Sequence, residues 1–102
     1  MLESEPYPFD FHDRSVGITF HLPSRRRFIP NCWLLHADVN DKETELQIHY
    51  TEWLVTIHGT NLDHLHERVA LFGVGWVREM PTSPKPTTPT VTRIEITEKA
   101  AD

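Results

Sequence analysis

The chain has 102 residues, of which 38% are hydrophobic and 25% charged, and its formal net charge is -5. That length holds one domain with a modest core and is too short for two, and the composition is that of a globular chain rather than a disordered one. The acidic balance disfavours nucleic acid and anionic membrane as partners. The single Cys32 excludes an intrachain disulfide and fits a reducing compartment. No apolar run approaches the ~20 residues of a membrane span. The acidic, proline-broken start, Met1-Leu2-Glu3-Ser4-Glu5-Pro6, is not a signal-peptide pattern, so a cytoplasmic location is expected.

Residues 1–14 read as an N-terminal arm. Its prolines and acids oppose regular structure, while Tyr7, Phe9 and Phe11 are suited to pinning it onto the domain. From Val16 to Leu22 apolar and other residues alternate, which predicts a strand with Val16, Ile18, Phe20 and Leu22 inward. Pro23 to Arg26 supply a turn. A second extended region runs from Phe28 to Val39 and is broken or bent at Pro30, because proline lacks the donor a ladder needs. Regular alternation there places Trp33, Leu35, Ala37 and Val39 on one face and Cys32, Leu34, His36 and Asp38 on the other. With apolar residues on both faces near Trp33, it reads as a strand buried twice.

Glu45 to Tyr50 and Trp53 to His58 both alternate, with Thr51-Glu52 between them as a two-residue loop. The implied hairpin register sets Ile48 opposite Val55 and Leu46 opposite Ile57 on the core face. Gln47 then faces Thr56, and Glu45 faces His58, on a mostly polar far face. A helix at about 61–72 follows, with Thr60 or Asn61 as N-cap, Asp63 completing a box, and Leu62, Leu65, Val69 and Phe72 as the apolar stripe. Gly73 is the expected left-handed residue that closes it.

A short strand is expected within Val74 to Met80. Four prolines between Pro81 and Pro89 make an extended, solvated linker. Thr90 to Thr97, rich in β-branched residues, is a last strand that pairs either within the chain or with a second subunit, and residues after Glu98 are expected to fray. The whole is an α+β fold: a mainly antiparallel sheet of five or six strands, a sandwich or a partly open barrel, with one helix. Its parts are the arm 1–14, a core domain 15–80, the linker 81–89 and the C-terminal strand and tail 90–102.

The run Arg27-Phe28-Ile29-Pro30 with Trp33-Leu34, the strand Glu45 to Tyr50, and Val55-Thr56-Ile57-His58-Gly59-Thr60-Asn61-Leu62 with Leu65 resemble small bacterial proteins of about this length that carry no assigned function. The likeness spans roughly residues 16–80 and rests on strands, a glycine and a cap. It implies a fold, with no reaction and no cofactor.

Seven histidines are the compositional oddity. His21, His49 and His58 lie on the non-core faces of their strands and would form a metal or ligand site if those strands were neighbours. The plainer reading is a set of solvated surface histidines. His64 and His66, two apart on a helix, point about 200° from each other and make no zinc pair. Arg25, Arg26 and Arg27 form the one basic run. With Trp33, Tyr50 and Trp53 it suggests a single-stranded nucleic-acid platform, and against this stands a solvated turn with one arginine paired to an acid. Cys32 and His36 on one strand would lie ~13 Å apart, out of reach for a nucleophile and its base. No phosphate loop, dinucleotide fingerprint, nucleophile elbow or Cys-x-x-Cys occurs. With no catalytic motif, the first expectation is a small non-catalytic interaction or regulatory module. It would form a homodimer through the Phe28 to Val39 region or the Thr90 to Thr97 strand. The alternatives are a histidine-based metal or ligand binder, then the nucleic-acid binder.

Overall fold

A computed structural model describes residues 7–11, 13–82 and 85–99. The acidic start, His12, residues 83–84 of the linker and the tail from 100 lie outside the described residues.

The strand alternations resolve into two sheets around one apolar cluster. In chain order the elements are β1 (Gly17–His21), β2 (Arg26–Pro30), a 3-10 turn (Asn31–Trp33), β3 (Leu34–Val39), β4 (Glu45–Tyr50), β5 (Trp53–Thr60), α1 (Asp63–Ala70), β6 (Trp76–Arg78) and β7 (Thr90–Glu98). One sheet has the order β2-β1-β6, the other β3-β4-β5-β7. Among the described residues the fold is α+β and mostly antiparallel, with seven strands rather than five or six, and the sheets do not close into a barrel. β1 runs antiparallel to β2 but parallel to β6. No helix among the described residues is long and apolar enough to cross a membrane.

The hairpin forms in the register its pattern demands, with Leu46 opposite Ile57 and Ile48 opposite Val55, all four fully buried. They share the core with Ile18, Phe20 and Ile29 from the three-stranded sheet, with Leu65 and Val69 from the helix and with Leu62 just before it. β7 pairs with β5 along its whole length, so the last strand belongs to its own chain, with Val91 and Ile94 buried. Lys99 continues the order, donating its backbone N–H to Glu52. The linker folds back at its end. The Asn61 side-chain amide donates to the Pro86 carbonyl at 3.0 Å, and Thr88 is buried.

The aromatic arm packs onto β6. Phe9 is buried and bridges Val77, and Tyr7, Phe9 and Phe11 contact one another with ring centroids 4.9 to 5.4 Å apart.

Three local expectations fail for identifiable reasons. The helix takes no side-chain cap. Thr60 bonds Thr90 through its hydroxyl at 2.8 Å, and Asn61 adopts φ 53 and reaches Pro86. Gly73 has no positive φ; the left-handed residue is Phe72, at φ 56. The helix still closes as a Schellman motif one residue early, with Gly73 N–H bonded to Arg68 and Phe72 N–H to Val69. Finally, β3 is an edge strand, not a doubly buried one. A bulge between Leu34 and His36 turns Leu34 toward the core and leaves Leu35 exposed.

Candidate functional site

The outward face of the four-stranded sheet is built from the polar half of each alternation. β4 contributes Glu45, Gln47 and His49, β5 contributes Thr56 and His58, and β7 contributes Arg93 and Glu95. The bulge in β3 adds to this. By inserting Leu35 it sets His36 directly opposite His49 and Asp38 opposite Gln47. His36 and Asp38, two apart on one strand, share a face, and His49 joins them from the neighbouring strand.

The three side chains converge. His36 Nε2 lies 3.6 Å and His49 Nε2 3.8 Å from Asp38 Oδ2, and the two imidazoles stack at 4.2 Å. One potential ligand atom from each lies within 4.8 Å of the other two. Ligands at ~2.1 Å around a tetrahedral ion sit ~3.4 Å apart, so the separations are close to those of a bound set. His36 and Asp38 are exposed and able to turn, while His49 is held half-buried. Burial pushes the His49 pKa down, the charges of His36 and Lys99 push the same way, and Asp38 opposes them. A neutral imidazole is the form a metal ion binds. Two nitrogens and one carboxylate oxygen suit zinc and its borderline neighbours rather than calcium or magnesium, and they leave coordination positions open.

The other expected ligands do not converge with His49. His58 is flanked by Glu95 at 3.0 Å and Glu45 at 3.8 Å, and Arg93 approaches Glu95 at 3.4 Å, a surface charge cluster. His21 stands on the other sheet, its ring 5.8 Å from Trp76. His66 leaves the helix face to donate to the Ala37 carbonyl. His36 and Asp38 were visible only as a His-x-Asp spacing, and regular alternation put Leu34 on their side.

The arginine run splits three ways. Arg25 lies in the turn, Arg26 is exposed on β2, and Arg27 points inward with its guanidinium 4.5 Å from the Trp53 ring. None of the three has a carboxylate partner among the described residues. Cys32 is exposed in the 3-10 turn rather than on a strand. Glu43, in the turn before β4, stands beside Asp63, the first residue of α1. The hydrogen bond between them, burial and the Asp63 charge raise the Glu43 pKa, against the pull of His64.

Compared with protein-family models, curated proteins and solved structures, the chain gives no match. The resemblance to small bacterial proteins therefore gains neither a family nor a source from them.

Proposed function

We propose that the protein is a small binding module for a borderline transition-metal ion such as zinc, held by His36, Asp38 and His49. The observation that carries this reading is the convergence of three ligand atoms of the right chemistry within 4.8 Å on an ordered sheet face. The backbone ladder between β3 and β4 fixes two of the three ligand-bearing positions opposite each other, so little ordering remains to offset binding. Isothermal titration with zinc and cobalt ions should give one site per chain. His49→Ala should abolish it and His36→Ala should weaken it, while His58→Ala, on the same face but outside the trio, should leave it unchanged. Undiminished binding by His49→Ala, or no binding by the native chain, would overturn the proposal.

A second reading, an interaction module that forms a homodimer through the β3 side, is favoured by the exposure of Trp33 and Leu35. Sedimentation equilibrium of the full chain and of Leu35→Glu tests it. A native monomer at tens of micromolar, or a dimer unaffected by the substitution, would exclude this contact.

A further inference from the structure

The net charge of -5 is not spread evenly. The strands of the three-stranded sheet, with sequences GITFH, RRFIP and WVR, hold three arginines and no carboxylate. The strands of the other sheet hold four carboxylates and one arginine. The acidity that disfavours nucleic acid for the chain as a whole thus lies off these three strands, on the other sheet, in α1 and in the segments between elements.

Register shows what the outward side of the basic sheet displays. His21 pairs with Arg26 on one side and Arg78 on the other, giving a basic row across all three strands. Thr19 pairs with Phe28 and with Trp76, giving an adjacent aromatic row. The Phe28 ring is exposed and seats itself on Gly17, where a Cβ would come 2.5 Å from the ring. Trp76 lies beneath the Arg78 guanidinium, whose carbon is 5.4 Å from the ring, and Arg78 Nε is steadied by the Tyr7 carbonyl at 3.1 Å. Neither Arg26 nor Arg78 has a carboxylate partner among the described residues. Burial, and then the charges of the flanking Arg26 and Arg78, push the His21 pKa down.

We infer that the outward face of the β2-β1-β6 sheet binds single-stranded nucleic acid, with bases stacked on Phe28 and Trp76 and phosphates held by Arg26, Arg78 and the adjoining Arg25. The chemistry fits this ligand better than a duplex. Aromatic side chains on β2 and β6, one on each side of β1, suit stacking with unpaired bases, which a duplex keeps inside its own stack. Cations without carboxylate partners beside those rings supply the backbone contact that gives such binding its salt dependence.

The test is fluorescence anisotropy of a labelled oligothymidylate of about a dozen nucleotides, titrated with the full chain at low salt. The inference expects binding with a log–log salt slope of about -2, as three neutralised phosphates give on a single strand. Arg26→Ala with Arg78→Ala should flatten that slope, and Phe28→Ala should weaken binding about five- to a hundredfold. Tryptophan emission should be quenched by the oligonucleotide in the native chain. The quench should be lost in Trp76→Phe with affinity largely kept, because phenylalanine still stacks while Trp33 and Trp53 lie elsewhere. Arg93→Ala, on the acidic sheet, should change nothing. No binding at low salt would overturn the inference, as would affinity untouched by the double arginine variant. Equally tight binding of polyglutamate would overturn it too, marking a general anion face instead.

Discussion

The imidazole of His66 donates from Nε2 to the carbonyl oxygen of Ala37 at 2.9 Å, tying α1 to the edge strand β3. The contact caps an edge carbonyl that no strand beyond β3 satisfies, one way of keeping a sheet edge from pairing with another chain. His66→Ala should cost ~1 kcal/mol, the net worth of an ordinary hydrogen bond. Urea unfolding of the variant checks it, and an unchanged midpoint would show that water replaces the ring at no cost.

Gly59 has no room for a side chain. A Cβ there would overlap the backbone carbonyl of Thr90, at the point where the β5–β7 register shifts. Gly59→Ala should therefore destabilise by clearly more than the ~1 kcal/mol typical of a substitution, since backbone rather than a movable side chain must yield. A thermal melt within a degree or two of the native chain would contradict the close approach.

Phe72 holds the left-handed position that ends α1, with φ 56. Two truncations isolate that backbone. Phe72→Ala and Phe72→Gly remove the same ring contacts, but only alanine pays the left-handed penalty of ~1–2 kcal/mol. The glycine variant should be the more stable by ~1 kcal/mol, the reverse of the order inside a helix. Equal midpoints in parallel denaturant titrations would remove the strain argument.

Tyr50 is fully buried, and its hydroxyl has no hydrogen-bond partner among the described residues. Tyr50→Phe should be neutral or stabilising, because it removes a desolvated group without a compensating bond. Burial holds the phenol pKa far above its ordinary 10.0. Above pH 10 the unfolded chain loses this proton while the folded chain keeps it. Stability is therefore whole below that pH and falls above it by ~1.4 kcal/mol per pH unit. Tyr50→Phe should remove that part of the alkaline decline, and identical pH profiles for the two proteins would exclude Tyr50 as its source.

The hairpin and most of the helix stripe were legible because each rests on a repeated local pattern: Leu46, Ile48, Val55 and Ile57 with period two, Leu62, Leu65 and Val69 with period three to four, while Phe72, the fourth residue expected in that stripe, is exposed beyond the helix. What failed was decided by single residues in tertiary context. Thr60 and Asn61 have good capping side chains, but β7 and the end of the linker claim them. Glycine favours the left-handed region, yet helix length placed Phe72 there. The candidate metal trio stayed hidden because one bulged residue, Leu35, shifts the alternation of β3, and nothing local in the sequence marks that bulge. The basic face stayed hidden for a different reason: Arg26 and Arg78 meet only through β1, and the pairing of β1 with β6 is long-range.

That pairing bears on how the chain reaches its structure. Thr19 meets Trp76 in parallel, with three strands of the other sheet and the helix lying between them in the sequence. The loop-closure entropy of that contact must be lost before the contact returns anything, which puts the chain toward the slow end of single-domain folding. During synthesis β1 and β2 emerge early, as a hairpin whose β1 edge is still unpaired. That edge stays open until residues 76–78 have left the ribosome, and over that interval the nascent chain is most exposed to strand pairing with a neighbour.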